Sequence, residues 1–129
     1  MVEQGTYEKK IIILNGPSSS GKSTLSRILQ DLIRNKRGNL YGIVSIDDYL
    51  KMSAHETIYE DDVFEISFEL IKAASRALQT CDGVIIDHVI TSKCIFDQLK
   101  NAFNGCITKL ILVTCPREVL LAQELFYLI

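Results

Sequence analysis

The sequence predicts an α/β fold in which a parallel sheet is covered by helices on both faces. Two observations predict it. Apolar runs of strand length alternate with segments whose apolar residues recur at helical spacing, and the first three runs end in a glycine-rich loop or in aspartate. Ligands of such sheets bind beyond the carboxyl ends of the strands. We therefore expect the loop and the aspartates to surround one crevice at one edge of the sheet.

The first strand and helix flank the glycine-rich loop. A strand is expected at 10–15, because Ile11 to Leu14 is an uninterrupted apolar run. A helix is expected over 22–36, with Gly38 as its stop. Five apolar residues are predicted to form its inward face: Leu25, Ile28, Leu29, Leu32 and Ile33.

The other elements are predicted from the same two patterns, which are apolar runs for strands and apolar residues at helical spacing for helices. Strands are expected at 41–46, at 83–86 and at 110–114. Helices are expected at 62–80, from Ser92 to about 103, and from about 117 to the end, and 51–61 is expected to be irregular or short-helical. The predicted inward side chains of the two middle helices are Val63, Phe64, Leu70, Ile71, Ala74 and Leu78, then Ile95, Phe96, Leu99 and Phe103.

Composition and charge indicate a single soluble domain over residues 1–129. The chain is 47% hydrophobic and 23% charged, and its net charge of −2 gives no electrostatic case for binding nucleic acid. It shows neither a signal peptide nor an apolar run long enough to span a membrane. Its four cysteines are far apart and lack zinc-site spacing, which indicates reduced thiols in the cytoplasm.

The nine residues 16–24 form a complete phosphate-binding loop, G-x-x-x-x-G-K-[ST], between a strand and a helix. Glycines at both ends let successive backbone N–H groups turn toward a phosphate. The lysine brings a positive charge to the β- and γ-phosphates, and the serine that follows it is placed to bind Mg²⁺. The predicted nucleotide-binding residues are Gly16, Pro17, Ser18, Ser19, Ser20, Gly21, Lys22, Ser23 and Thr24.

Acidic residues close the next two strands. Asp87 follows Val84 to Ile86 and is expected to hold Mg²⁺ opposite Ser23, with capping of the next segment as the alternative. Asp47 is placed to orient an acceptor hydroxyl and take its proton, with Mg²⁺ binding or helix capping as alternatives. Asp48 is expected to be the cap. His88 is expected to be packed or solvent-facing rather than a substrate contact.

The chain resembles the chloramphenicol phosphotransferase-like family of P-loop kinases. Ile11 to Ser23 resembles the start of that family, where Asn15 and the Ser18–Ser19 pair carry the likeness. Three further segments are similar in order and spacing: 43–47, whose final aspartate the family uses as a base, 83–89, and 110–115.

The resemblance implies a three-layer P-loop fold of the nucleoside-kinase type, with strand order 2-3-1-4. It also implies ATP as the phosphoryl donor, Mg²⁺, and a small hydroxyl-bearing acceptor. Lys22 and Asp47 are then the expected catalytic residues, and Ser23 and Asp87 the expected metal ligands. The N-K-x-D motif of guanine-binding proteins does not occur in the sequence, so the sequence does not support a GTPase.

The chain departs from the family after the fourth strand. Glu124 matches a family glutamate, but the arginines of the family's lid do not follow, and Arg117 is the only basic residue after Lys109. We therefore expect the lid and the fifth strand to be missing, and the fourth strand to promote self-association. A nucleotide-binding remnant or regulatory module without transfer activity is the alternative function.

Overall fold

The computed structural model describes residues 9–16, 21–50 and 60–113. Strands and helices alternate along them, as the sequence predicts, except that two helices follow the second strand. In chain order they are β1 (Lys10–Asn15), α1 (Lys22–Arg37), β2 (Tyr41–Ser45), α2 (Ile46–Leu50), α3 (Glu60–Ala77), β3 (Gly83–His88), α4 (Lys93–Ala102) and β4 (Ile107–Leu112).

The four strands form one parallel sheet in the order β2-β3-β1-β4, which confirms the predicted fold class. β1 lies between β3 and β4, and Lys10 is aligned with Gly83 on one side and with Ile107 on the other. Because all strands run the same way, the ends of β1, β2 and β3 meet at one edge. There Asn15 is aligned with His88, and Ser45 with Asp87.

Helices pack on both faces of the sheet and make three layers. On one face, α3 and α4 cover a core that includes Ile13, Val84 and Ile86. On the other face, α1 packs its leucines against Leu14 and Ile85. Successive strand residues point to opposite faces, so Asp87 follows Ile85 toward α1, whereas His88 follows Ile86 toward α3.

Three predicted strand boundaries are wrong by a few residues. β2 ends at Ser45, because Ile46 turns inward as the first residue of a short helix. β3 includes Asp87 and His88, which pair in register with the end of β1. β4 begins at Ile107 rather than at residue 110, since an edge strand with exposed faces accepts the polar Thr108 and Lys109 that interrupt its apolar run.

The predicted helix faces are wider than the buried surfaces. In α1, Ile28 and Leu32 are 54% and 47% exposed, and in α4, Phe96 is 40% exposed. Leu32 and Phe96 lie beside β4, where two open grooves flank the edge strand. α3 ends at Ala77, earlier than predicted, and α1 stops at Gly38 as predicted, with φ of 71° and its N–H bonded to the carbonyl of Arg34.

Several predictions lie outside the described residues. They are residues 51–59 of the segment predicted at 51–61, the end of the fourth strand at Thr114, the last helix from 117, and the loop residues Pro17, Ser18, Ser19 and Ser20. Within the described ranges, no helix combines the length and hydropathy needed to cross a bilayer.

Candidate nucleotide-binding site

The N-terminus of α1 is arranged to receive an anion. Gly21 precedes the helix in the left-handed conformation, with φ of 84°, and its carbonyl accepts the first helical hydrogen bond from Leu25 at 3.0 Å. Within the described part of the chain, no side chain caps this helix and its first turn holds no acidic residue. The N–H groups of the first turn and the positive end of the helix dipole are therefore available to an anion.

Lys22 lies in the interior beneath this helix end. Its side chain is 1% exposed, and its Nζ is 3.0 Å from Oδ1 of Asp87, whose side chain is fully buried. The same Nζ donates a hydrogen bond to the carbonyl of His88 at 2.9 Å, and the N–H of Gly16 donates to that carbonyl at 3.4 Å. The end of β3 thus holds both the lysine and the start of the loop.

Asp87 receives donors from two other elements. Its Oδ2 accepts hydrogen bonds from the hydroxyl of Ser23 at 3.2 Å and from the hydroxyl of Ser45 at 3.1 Å. Its Oδ1 has the ion pair with Lys22 but no partner in hydrogen-bond geometry among the described residues. The carboxylate therefore joins α1, β2 and β3 at one point.

This donor set fits Mg²⁺. The carboxylate of Asp87 and the hydroxyl of Ser23 are hard oxygen ligands, and Oδ1 retains lone pairs that no hydrogen bond uses. No group of three or more His, Cys, Asp or Glu side chains with metal-site geometry occurs in the described ranges. Such a cluster is not needed for Mg²⁺, which proteins usually bind through one or two carboxylates, waters and the phosphates of a substrate.

Asp47 lies next to this cluster, in the first turn of α2. Its backbone N–H donates to the hydroxyl of Ser45 at 3.3 Å, and its half-buried carboxylate has no hydrogen-bond or ion-pair partner among the described residues. Ser45 is therefore the N-cap of α2, so the prediction that Asp48 is the cap is wrong. Asp48 is the next helical residue and is exposed.

His88 is packed into the opposite face of β3, as predicted. It is fully buried, its Nδ1 accepts the N–H of Val89 at 2.7 Å, and its Nε2 lies 3.0 Å from the hydroxyl of Ser67 in α3. Nδ1 thus carries no proton, and Nε2 donates to Ser67. Burial lowers the pKa of His88 from 6.5 to about 4, with a smaller contribution of the same sign from the Lys22 charge.

Sequence reasoning missed the hydrogen-bonding roles of three residues near the site. Ser45 and Ser67 bond to Asp87 and His88, and Oδ1 of Asn15 accepts the N–H of Ile90 at 2.8 Å, which ties the end of β1 to the segment after β3. The position of Ser45 at a strand end, two residues before Asp47, was a signal available in the sequence. Nothing in the sequence alone paired Ser67 with His88.

The fold and the site together define a kinase-like P-loop domain. The hexameric APS kinase from Thiobacillus denitrificans has a similar fold, with a TM-score of 0.65 and 15% identity over 85% of this chain and 23% of that one. A gluconokinase from Sinorhizobium meliloti is similar with a TM-score of 0.55 and 19% identity, over 82% of this chain and 57% of that one. At these identities the likeness shows the fold.

Residues 9–125 match the family model described as chloramphenicol phosphotransferase-like protein, and the chain belongs to that family. Over 91 residues the chain is also 31% identical to an Enterococcus faecalis protein that carries the name of an ABC transporter ATP-binding protein. That alignment covers 70% of this chain and 14% of the relative. The chain thus spans less than two thirds of the length of each protein compared here.

Proposed function

We propose that this chain binds ATP with Mg²⁺ and transfers the γ-phosphate to a hydroxyl group of a small molecule. The observation that carries the proposal is the convergence of Lys22 and Ser23 on the buried carboxylate of Asp87, at 3.0 and 3.2 Å. Membership in the chloramphenicol phosphotransferase-like family supports a phosphoryl acceptor of this kind.

Each residue has a defined task in this proposal. The loop residues 16–24 hold the phosphates through backbone N–H groups, and Lys22 neutralises charge on the β- and γ-phosphates. Ser23 and Asp87 are the residues that would hold Mg²⁺, which supplies positive charge to the transferred group. Asp47 orients the acceptor hydroxyl and takes its proton.

The ion pair of Lys22 and Asp87 must open when phosphate is bound. In the structure the ammonium group contacts Asp87 and the carbonyl of His88. A γ-phosphate with its cation supplies the same charges to both partners, so neither is left uncompensated in the buried site. The proposal therefore requires Lys22 to change its side-chain conformation on binding.

Binding and transfer are tested separately. Mg²⁺-ATP at about 100 times its dissociation constant is expected to add about 2.7 kcal/mol and to raise the thermal midpoint by several degrees. Transfer is tested with a panel of hydroxylated compounds and detection of phosphorylated product. Asp47→Asn is the matched variant: it should keep ATP binding and lower transfer by about 10²- to 10⁴-fold.

The outcomes distinguish the two candidate functions. Product that disappears in Asp47→Asn supports the kinase. ATP binding without product from any acceptor supports the alternative, a nucleotide-binding module without transfer activity. Absence of ATP binding overturns both. A single domain over residues 1–129 and a cytoplasmic location, indicated by the widely spaced cysteines, belong to the same proposal.

A further inference from the structure

The hydroxyl of Ser45 contacts both carboxylate-bearing segments of the site. It donates to Oδ2 of Asp87 at 3.1 Å and accepts the backbone N–H of Asp47 at 3.3 Å. A serine hydroxyl has one proton, so the bond to the carboxylate fixes its direction and leaves the lone pairs for the N–H. The parallel register of β2 and β3 aligns Ser45 with Asp87, which makes the first contact a property of the sheet.

We propose that Ser45 is a positioning residue that fixes Asp87 relative to Asp47. This inference rests on the proposed function, in which Asp87 serves the metal and Asp47 serves the acceptor. Through one hydroxyl, the orientation of the metal-side carboxylate is coupled to the backbone from which the candidate base extends.

Ser45 differs from the other side chains that contact Asp87. Lys22 and Ser23 also touch this carboxylate, but both belong to the phosphate loop and have tasks on the nucleotide. Ser45 belongs to β2 and is the partner that can remain on Oδ2 when Lys22 turns to phosphate. A retained donor keeps the carboxylate in one orientation, which favours its use as a cation ligand.

A capping role alone would have a different signature. Replacing an N-cap serine by alanine weakens a helix, whereas glycine is tolerated nearly as well as serine. If the hydroxyl served only as the cap of α2, neither change would alter the effect of Mg²⁺ on ATP affinity. Ser45→Gly therefore separates the cap from the contact with Asp87, and Ser45→Thr keeps both. Ser67→Ala is the matched control, because it removes a buried hydroxyl of α3 that contacts His88 on the face of β3 opposite Asp87.

The experiment measures the ATP dissociation constant by calorimetry with excess Mg²⁺ and again with EDTA. The ratio of the two constants is the Mg²⁺ gain. We expect this gain to fall about tenfold in Ser45→Ala and in Ser45→Gly, in the range set by one hydrogen bond to a charged group. Ser45→Thr and Ser67→Ala should keep the wild-type gain.

Two results would overturn the inference in distinguishable ways. If the wild-type chain shows a Mg²⁺ gain and Ser45→Gly retains it in full, Ser45 is only a cap, and the proposed function stands. If the wild-type chain binds no ATP, the proposed function falls and the role of Ser45 falls with it. A midpoint of thermal unfolding for every variant shows that the proteins compared are folded, and Ser45→Gly and Ser45→Thr serve if Ser45→Ala does not fold.

Discussion

At the scale of single residues, the site is built on a buried ion pair. Lys22 and Asp87 are almost fully excluded from water and lie 3.0 Å apart. Such a pair is costly to desolvate, and each charge depends on the other. The pair therefore contributes little net stability, although the removal of one partner alone should be costly.

Breaking the pair on one side should destabilise the chain strongly. We expect Lys22→Met to lower the free energy of unfolding by about 3–5 kcal/mol in the absence of nucleotide, because the Asp87 carboxylate is left uncompensated. The double variant Lys22→Met, Asp87→Asn should recover most of this loss, since no buried charge remains. Urea denaturation at pH 7.5 measures both values and that of the single variant Asp87→Asn, and a double variant with the summed loss of the two single variants would contradict the expectation.

His88 should make stability depend on pH. Its pKa is about 4 in the folded chain and 6.5 when unperturbed, so the unfolded chain binds the extra proton between these values. Its contribution is complete above pH 6.5 and is lost as pH falls toward 4. Between pH 7.5 and 5 the loss should be about 2 kcal/mol, measured by urea denaturation with EDTA present.

The same titration needs a control for the carboxylates. Among the described residues, the charged groups that act on the His88 pKa are Lys22 and Asp87, and other acidic residues add their own pH dependence. His88→Gln should therefore remove about 2 kcal/mol of the wild-type difference and leave the remainder. His55→Gln is the matched histidine variant, and an equal flattening in both variants would contradict the assignment to His88.

At the scale of elements, β3 is the strand that organises the site, because its two faces contact different helices. Asp87 points to α1 and the phosphate loop, whereas His88 points to Ser67 in α3. The strand begins at Gly83, where an added Cβ would lie 2.6 Å from the carbonyl oxygen of Lys10 and 2.6 Å from the ring of Tyr41. The glycine is required by this close approach of strand and ring.

Replacing Gly83 should therefore disturb the strand. We expect Gly83→Ala to lower stability by about 1–3 kcal/mol through overpacking against a backbone atom and a buried ring. Gly42→Ala on the adjacent strand is the control, because its Cβ would approach Ala77 at 3.3 Å and Cys81 at 3.7 Å. Thermal unfolding of both variants measures the contrast, and equal midpoints would show that β1 and Tyr41 yield without cost.

The sequence predicted the strands and helices better than the side-chain contacts and the exposure of their residues. An apolar run followed by G-x-x-x-x-G-K-[ST] places β1 and α1 with little ambiguity, because the loop needs a strand before it and a helix after it. The bonds of Ser45 and Ser67 were not predictable, since they depend on which strands are neighbours and on which face of α3 meets β3. The exposure of Ile28 was not predictable either. Apolar residues at helical spacing indicate which side chains share one face of a helix, but they do not indicate how much of that face the sheet covers.

At the scale of the whole molecule, β4 leaves an apolar edge. Among the described strands it pairs with β1 alone, and all its residues are exposed, with Leu112 at 72% and Ile107 at 50%. An exposed apolar edge strand is a template for pairing with another chain. This edge supports the expected self-association.

Self-association through β4 should be concentration-dependent. We expect the apparent mass of the 129-residue chain to rise with concentration in analytical ultracentrifugation, and Leu112→Lys to suppress the rise by adding a charge to the edge. Leu40→Lys is the control, because Leu40 is 55% exposed and lies outside the sheet. A wild-type chain that stays monomeric over the whole range would contradict the expectation.

The central position of β1 also governs how the chain folds. Of the described strands β1 is synthesised first, and both of its neighbours, β3 and β4, come much later in the chain. Pairings between residues so distant in sequence require large loop closures before any contact compensates for their entropy. Ile11 to Leu14 therefore reach their native pairing only after β3 has been synthesised. Assembly of the nucleotide site is therefore a late event, because Lys22 can contact Asp87 only after β3 has paired with β1.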